Sequence, residues 1–273
     1  RSHQASMLTA EEVCQRSTLA NRGGLLGGMY SRTELRVDPR TASLAIAKWL
    51  AQEHAVQFRF NSQATHVSDH RVISADGKQW TADRIVICSG SDLQTLYPNE
   101  FSTSGLRLCK LQMLRTGPQQ AGFGVATPHI ASGLTLRHYA SFESCQANKA
   151  LRERIVRESP LLDRYGIYVM ASAFPDGEVV LGDSHEYGND ITLFDKTEID
   201  ELILSELKKV ICLEDWTIKV RWHGIYAKHP TLPVFQKQVE PDVHLFVGTG
   251  GAGMTMAFGL AERAWQRWET GEI

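Results

Sequence analysis

The sequence has few cysteines, and none of them stands at the spacing of a metal site or a redox motif. Its five cysteines are an odd number, are widely scattered and have no paired histidines nearby. This pattern argues against a disulfide framework and against a zinc site. We therefore expect no bound metal and a reducing, cytoplasmic setting. No apolar run approaches the roughly 20 residues of a membrane-spanning helix, and no signal peptide opens the sequence.

An excess of one charge is also lacking. The sequence holds 29 basic and 31 acidic residues, which give a formal net charge of -2, and it contains no strongly basic block. This balance argues against nucleic-acid binding by bulk charge. With 42% hydrophobic content, 273 residues are enough to bury a substantial core in one large domain or two interleaved domains.

Glycine is concentrated near the end of the sequence. Val243 to Val247 predicts a buried strand, Gly-Thr-Gly-Gly-Ala-Gly follows at 248–253, and a helix is predicted from Met254 towards Trp268. The glycines fit the dinucleotide-binding pattern, but that pattern requires a βαβ unit with an acidic residue about 20 positions on. Glycines let the backbone approach a ligand, and a helix start presents N–H groups with partial positive charge. We predict an electron-rich ligand at this turn, and a tight turn without a ligand is the alternative.

Helices are predicted at both ends of the sequence and within its middle. Capping boxes start two of them, at Thr9 with Glu12 and at Thr197 with Asp200. Asp38-Pro39 starts another, with Leu44, Ala47 and Leu50 on an apolar face that we expect to dock on a sheet. The predicted helices are 10–16, a helix from 38–39 onward, 148–158 and 197–210.

Short alternating or apolar runs predict the strands. They are 56–60, 64–67, 72–74, 84–88, 106–115, 134–139, 167–173, 178–181, 216–226 and 243–247. Asp76-Gly77 and Pro175-Asp176-Gly177 are turn signals between such runs. The expected fold class is α/β with a largely antiparallel α+β insert.

Three blocks of sequence resemble the D-amino-acid oxidase family of flavin oxidoreductases, which includes glycine and sarcosine oxidases. The blocks are the helix start at Val37-Asp38-Pro39 with the strands up to Gly90, the strand Trp222–Tyr226, and the turn Gly248–Thr255. A narrower resemblance joins 134–139, 182–188 and 250–255 to a subgroup associated with phosphonate catabolism. The resemblance implies an FAD-binding domain of the Rossmann-like, glutathione-reductase type and an antiparallel-sheet substrate domain.

The resemblance also implies how the domains are divided. Residues 31–97 and 240–273 would form the FAD-binding domain, and residues 1–30 and 98–239 the substrate domain. The family's ADP-binding βαβ unit, which needs about 30 residues, is expected to be missing from the start of this sequence. Where sarcosine oxidases attach flavin to a cysteine, this sequence has Gly224. The implied cofactor is therefore non-covalent FAD, which this chain alone is expected to hold weakly or not at all.

By resemblance, the turn would lie against the pyrimidine end of the flavin, while Gly90 and Ser91 would approach the diphosphate and ribityl chain. The backbone of Ala64 would contact the adenine; alternatively, Ala64 would be an ordinary strand residue. The implied cofactor-binding residues are Ala64, Gly90, Ser91, Gly248, Gly250, Gly251, Ala252, Gly253, Met254 and Thr255.

Family members that oxidise simple amino acids use an arginine where this sequence has Tyr226. A phenol cannot reproduce a two-pronged arginine–carboxylate pair, so a phosphonate is expected instead. Arg137, His138 and Lys228 are the candidate substrate-binding residues, and His185 and Tyr226 the candidate catalytic residues. The expected function is oxidation of a C–N bond of a small aminophosphonate by hydride transfer to FAD. The alternatives are a glycine/sarcosine-type oxidase and a flavin-free remnant or interaction module.

Overall fold

The computed structural model describes residues 5–120 and 128–271, and they divide into two compact units. Unit 1 holds residues up to Glu53, Lys110–Glu186 and Thr192–Gly224, and unit 2 holds His54–Cys109, Tyr187–Ile191 and the residues from Ile225 onward. The α-helices are α1 (Ala10–Arg16), α2 (Pro39–Glu53), α3 (Pro98–Ser102), α4 (Gln146–Glu158), α5 (Pro160–Arg164), α6 (Thr197–Val210) and α7 (Gly253–Thr270).

The strands of both units are short, and most of their pairings are antiparallel. They are β1 (Ala5–Thr9), β2 (Gly27–Ser31), β3 (Ala64–Ser68), β4 (Arg71–Ser74), β5 (Gln79–Thr81), β6 (Ile85–Ile87), β7 (Arg107–Thr116), β8 (Ile130–Ala131), β9 (Met170–Ala173), β10 (Val179–Gly182), β11 (Glu186–Gly188), β12 (Ile218–Lys228), β13 (Phe235–Glu240) and β14 (Val243–Val247).

The core of unit 1 is a sheet in which β7, β10, β9 and β8 lie side by side in that order with antiparallel pairings. Strands β11 and β12 also pair with β7, and only Glu186 of β11 belongs to unit 1. Helix α6 packs Ile199, Ile203 and Leu207 into the core beneath this sheet, and all three side chains are buried. They recur at helical spacing, so one stripe of the helix is apolar. The sheet and α6 together form the core of the unit.

Unit 2 contains two small three-stranded sheets. In the first, β14 lies between β13 and β6 and runs parallel to β6, with Leu245 opposite Ile87. In the second, β3, β4 and β5 form an antiparallel meander. Val243, Leu245 and Val247 are buried in the core of the unit, and their alternation places them on one face of the strand.

Most predicted elements are confirmed, including the capping box at Thr9 and the helix α6. The strand predicted at 134–139 is wrong, because residues 133–137 form a 3-10 helix in which the N–H of Thr135 bonds the carbonyl of Ser132. No strand forms at 56–60. The N-cap of α6 is Lys196, whose side chain makes no capping bond, so the predicted Thr197 capping box is also wrong.

Helix α2 begins at the predicted position, where Asp38 accepts a hydrogen bond from the backbone N–H of Arg40. Its expected docking on a sheet is wrong for the described residues, since none of the helix is buried and Leu44 is 54% exposed. Ala47 and Leu50 of this apolar face are half-buried among the described residues.

The observed units differ from the predicted domains at four places. Residues 31–53 lie in unit 1, and residues 98–109, 187–191 and 225–239 lie in unit 2. Strands β7 and β12 each continue from one unit into the other. A boundary inside a strand carries no turn residues, so the sequence pattern does not mark it.

Candidate functional site

The glycine turn of unit 2 lies between β14 and α7, as predicted. Gly248 has φ +84° and Gly250 has φ +58°, in the left-handed region that favours glycine. Residues 250–252 form one 3-10 turn, and α7 follows at once. The chain therefore reverses direction within a few residues of the buried strand.

The turn is packed closely against its neighbours in unit 2. A Cβ at Gly248 would collide with the side chain of Leu106, and one at Gly253 would come within 2.7 Å of Thr249 Oγ1. Thr249 also forms a β-bridge with Lys228, and a Cβ on Gly251 would lie 3.7 Å from Tyr226 Oη. The structure thus brings the turn together with two of the predicted site residues, Tyr226 and Lys228.

The start of α7 has the charge of an anion site. No side chain caps its N-terminus, and its first turn contains no acidic residue. The free N–H groups of a helix start carry partial positive charge, which favours negative charge by about 0.3–1 kcal/mol at an exposed site. Met254 is 58% exposed, and Thr255 is exposed as well, so this end of the helix is accessible.

The loop after β6 lies at the same edge of the sheet. Because β6 and β14 are parallel, their carboxyl ends meet at one edge, where ligands of open α/β sheets bind. Gly90 has φ +64° with open space around it, and Ser91 is exposed. Ser89 has a buried Oγ with no hydrogen-bond partner among the described residues. Sequence reasoning did not select Ser89, although it lies between the predicted strand 84–88 and the candidate residues Gly90 and Ser91.

Ala64 lies at the start of β3, in the second sheet of unit 2, opposite Ser74. The pairing of β3 with β4 shifts register between Ala64 and His66. The irregularity interrupts the regular pairing next to Ala64. It is compatible with both predicted roles of Ala64, a backbone contact to the adenine and an ordinary strand position.

Tyr226 keeps its proton at neutral pH. Burial raises the pKa of this phenol far above its ordinary value, and the neighbouring Cys109 and Tyr187 side chains raise the pKa further. A phenol in this state donates a hydrogen bond and does not act as a base. Lys228 lies over the ring of Tyr187, with its Nζ 5.7 Å from the ring centre. This contact orients the ammonium group of Lys228, which lies on the same strand, β12, as Tyr226.

Unit 1 holds the other predicted residues, beginning with Arg137 at the end of the 3-10 helix. Arg137 is 2% exposed, and its Nη1 forms an ion pair with Asp163 at 3.2 Å. Its Nε and Nη2 are buried and have no acceptor among the described residues. The guanidinium Cζ lies 5.3 Å from the ring centre of Tyr168. An Arg side chain with spare donors is suited to binding an anionic group.

The two predicted histidines of unit 1 are in contact. The rings of His138 and His185 have centres 4.4 Å apart, and each ring also contacts Tyr168, at 5.0 Å and 5.2 Å. His185 donates its Nδ1 proton to the carbonyl of Gly166 at 3.1 Å. This hydrogen bond fixes the orientation of the His185 ring. Arg137, His138 and His185 thus all lie beside the ring of Tyr168.

Asp183 lies in the same cluster, at the end of β10. It is 5% exposed, and burial raises the pKa of its carboxyl to about 7. Its Oδ1 lies 4.0 Å from His185 Nδ1. The sequence marks Asp183 only as a polar residue after a strand, which is a common place for loop caps as well as for site residues. Its burial is visible only in the structure.

Neither a metal site nor a membrane-spanning helix was found in the part of the chain that the structure describes. No group of three or more His, Cys, Asp or Glu side chains there is arranged to hold a metal ion. Likewise, none of the helices within residues 5–120 and 128–271 combines the length and apolar character that crossing a membrane needs.

The family described as FAD dependent oxidoreductase, abbreviated DAO, matches residues 1–267. The chain belongs to this DAO family. No curated protein matches it.

Solved structures share the DAO fold of the chain at low sequence identity. L-proline dehydrogenase from P. horikoshii matches with a TM-score of 0.67 and 17% identity, over 98% of this chain and 65% of that one. Glycine oxidase from Geobacillus kaustophilus matches with a TM-score of 0.64 and 13% identity, over 93% of this chain and 60% of that one. Iminodiacetate oxidase from Chelativorans sp. BNC1 matches with a TM-score of 0.60 and 16% identity, over 92% and 60%. The chain therefore spans less than two thirds of the length of these structures.

Unit 2 fits the cofactor in the name of the DAO family. The flavin ring gathers electron density when reduced, and the start of α7 offers it uncapped N–H groups and no acidic side chain. At the same edge of the sheet, the buried hydroxyl of Ser89 has no hydrogen-bond partner among the described residues. Both features are at the carboxyl ends of parallel strands, as expected for a nucleotide cofactor.

Proposed function

We propose that the chain is part of an FAD-dependent oxidoreductase that oxidises a C–N bond of a small amine. Unit 2 would carry the FAD, held without a covalent bond by Ala64, Gly90, Ser91 and the Gly248–Thr255 turn. Unit 1 would carry the substrate-binding side chains. The observation that carries the proposal is the uncapped start of α7 with its glycine turn packed against Tyr226.

When bound, FAD would supply the acceptor for a hydride from the carbon that bears the amine. The N–H groups at the start of α7 stabilise negative charge at the turn. Tyr226 stays protonated beside the turn, because its pKa is raised by burial and by Cys109 and Tyr187. His185 would take a proton from the amine and so hold the amine in its neutral form.

We propose an aminophosphonate, or its N-substituted form, as the substrate. Arg137 has two nitrogens without acceptors, and His138 is the next residue along the chain. A phosphonate has three acceptor oxygens and more negative charge than a carboxylate, so it can use several donors. Lys228 would add a further positive charge on the strand that carries Tyr226.

A small amino acid such as glycine or sarcosine is the second candidate substrate. The likeness to glycine oxidase structures favours it. Tyr226 argues against it, since the phenol lacks the two-pronged donor geometry that fixes a carboxylate.

A substrate panel tests the proposal on the flavin-loaded protein. Under anaerobic conditions, we expect N-methyl-2-aminoethylphosphonate to bleach the flavin absorbance faster than glycine or sarcosine does. Faster bleaching by glycine or sarcosine would support the second candidate. Failure of every amine to bleach a loaded flavin would rule out both.

The variant Arg137→Ala separates a binding role from a structural one. If Arg137 binds the phosphonate, kcat/KM should fall at least tenfold for the aminophosphonate and much less for a neutral amine. Equal losses for both substrates would show that Arg137 supports the fold of unit 1 and does not bind the substrate.

A further inference from the structure

Asp183 is a buried carboxylate with one oxygen, Oδ1, that has no hydrogen-bond partner among the described residues. Only 5% of the residue is exposed, and its Oδ1 accepts no hydrogen bond from the described residues. The nearest cationic candidate is His185, whose Nδ1 lies 4.0 Å away and donates to the Gly166 carbonyl. Because buried carboxylates are costly unless paired or hydrogen-bonded, this oxygen is suited to a donor from outside the chain.

Arg137 presents the opposite chemistry in the same unit. Its side chain is 2% exposed, and the ion pair with Asp163 uses only Nη1. Nε and Nη2 are buried and find no acceptor among the residues that the structure describes. These two nitrogens therefore match an anionic group of a ligand, as Oδ1 of Asp183 matches a cationic one.

Tyr168 links the two unsatisfied groups. Its ring lies under the guanidinium of Arg137, and its backbone N–H donates to the carbonyl of Asp183 at 3.2 Å. The pKa of the Tyr168 phenol is raised mainly by burial, and it also responds to the charges of Arg137 and Asp183. The contacting rings of His138 and His185 line the same cluster. The two spare donor nitrogens of Arg137 and the acceptor oxygen Oδ1 of Asp183 thus lie beside one aromatic cluster, which Tyr168 forms with the two histidines.

We propose that Asp183 determines specificity by binding the ammonium group of a zwitterionic substrate, while Arg137 binds the anionic group of the same molecule. The proposal rests on the proposed function of unit 1 as the substrate-binding part. It adds a residue that recognises the amine itself, next to the histidine that takes its proton. A ligand with both charges would satisfy both buried groups at once, and a ligand with only one charge would leave the other unsatisfied.

Calorimetric titration of the chain at pH 8 tests this proposal without any flavin reaction. The probes are 2-aminoethylphosphonate, which carries both charges, ethylphosphonate, which lacks the amine, and ethylamine, which lacks the phosphonate. We expect the wild-type chain to bind 2-aminoethylphosphonate at least tenfold more tightly than either single-charge probe. Asp183→Asn should lower the affinity for 2-aminoethylphosphonate to that for ethylphosphonate and leave ethylphosphonate binding unchanged.

Asp215→Asn is the matched control, because it makes the same substitution at an exposed position of unit 1. It should bind all three probes like the wild type. If Asp183→Asn fails to fold, the wild-type preference for 2-aminoethylphosphonate over ethylphosphonate decides the matter alone. Equal wild-type affinities, no binding of 2-aminoethylphosphonate, or an unchanged affinity in folded Asp183→Asn would each overturn the proposal.

The outcome is distinguishable from a failure of the proposed function. Flavin bleaching by an amine together with an unchanged affinity in Asp183→Asn would remove only the role of Asp183. Charge-selective binding without bleaching by any amine would retain the zwitterion site and remove the oxidoreductase reaction.

Discussion

Asp183 connects the candidate site to stability, because the same burial that prepares it for a ligand destabilises its charged form. Its pKa rises from 3.8 to about 7 on folding, so the folded protein binds more protons than the unfolded chain between these values. Stability is therefore greatest at low pH with respect to this group and falls as pH rises towards 7, by roughly 1.4 kcal/mol for each pH unit.

Asp183→Asn should remove this loss, since an amide does not ionise. We expect the variant to be more stable than the wild type at pH 8, by a few kcal/mol at most, and to differ little at pH 4.5. Thermal unfolding at the two pH values measures the difference. Asp215→Asn should show no such dependence, and an Asp183→Asn variant less stable than the wild type at pH 8 would contradict the account.

The contribution of His244 to stability depends on pH in the opposite sense to that of Asp183. It is buried on β14 and stacks on Trp268 of α7 with ring centres 4.4 Å apart, and burial with the nearby Arg84 charge lowers its pKa. The unfolded chain therefore binds more protons below the ordinary histidine pKa of about 6.5, and stability falls as the pH drops through that value.

The variant His244→Phe should keep the stacked ring and remove the protonation. Between pH 7 and pH 5 we expect unit 2 of the wild type to lose stability, and the variant to lose less. Denaturant unfolding followed by tryptophan fluorescence measures this, since Trp268 reports on the contact. Identical acid sensitivity of the two proteins would show that His244 is not the responsible group.

At the residue scale, candidate side chains can be selected from the sequence, but their environments cannot. Arg137, His138 and His185 were selected by chemistry and by resemblance, and the structure places them together. Asp183 and Ser89 were not selected, because a sequence does not show which polar atoms are buried without partners. The unusual protonation of Asp183 also depends on burial, which three-dimensional packing alone decides.

The turn between β14 and α7 depends on glycine at defined positions. Gly248 combines a left-handed φ with close contact to Leu106, so Gly248→Val should be strained in two ways. We expect a loss of at least about 2 kcal/mol, since the left-handed conformation alone costs roughly 1–2 kcal/mol for other residues. Urea unfolding of the two proteins provides the measurement.

Gly259→Ala is the matched comparison for this turn. Gly259 lies inside α7 with nothing near its Cβ position, so alanine should stabilise the helix by up to about 1 kcal/mol. Opposite signs at positions 248 and 259 would support the account. Equal tolerance at both positions would show that the turn does not require glycine at 248.

Lys110 stabilises the segment before α6. It is fully buried on β7, where its Nζ pairs with Asp195 at 2.8 Å and donates to the carbonyls of Thr192 and Phe194 at 3.0 Å and 2.6 Å. Asp195 also accepts from His223 at 2.8 Å. A buried ammonium with three partners therefore fixes residues 192–195 against the sheet.

Lys110→Met should release that segment and cost roughly 3 kcal/mol, because removing one partner of a buried pair leaves the others uncompensated. Hydrogen exchange of the amides at 192–195 should become faster, and the melting temperature should fall. Lys149→Met, at an exposed position of α4, should change stability by less than about 0.5 kcal/mol. Unchanged exchange at 192–195 in Lys110→Met would contradict this role.

At the element scale, local signals predicted helices and strands where they were strong. The capping box at Thr9 and the apolar stripe of α6 are local, and both helices are confirmed. Residues 134–139 alternate like a strand, but Gly133 and the Ser132–Thr135 hydrogen bond begin a 3-10 helix instead. The short strands β8 and β11 were not predicted, because their pairing partners, β9 and β7, are distant in sequence.

At the scale of the whole molecule, the DAO family assignment was predictable because its motif blocks are spread along the chain. The family match covers residues 1–267, and the fold is shared with structures at 12% to 17% identity. Such low identity preserves the fold and not the substrate. The division into units was not predictable, since strands β7 and β12 cross it without a turn.

The central claim is that the start of α7 and its glycine turn form the seat of a flavin. Titration with FAD, followed by flavin absorbance and fluorescence, tests this claim most directly when Gly251→Asp is compared with Gly259→Asp. Both glycines are exposed, but only residue 251 precedes the helix start, where an added carboxylate favours the helix and repels an anion. We predict at least tenfold weaker FAD binding in Gly251→Asp and wild-type binding in Gly259→Asp. Equal affinity in both folded variants would contradict the claim.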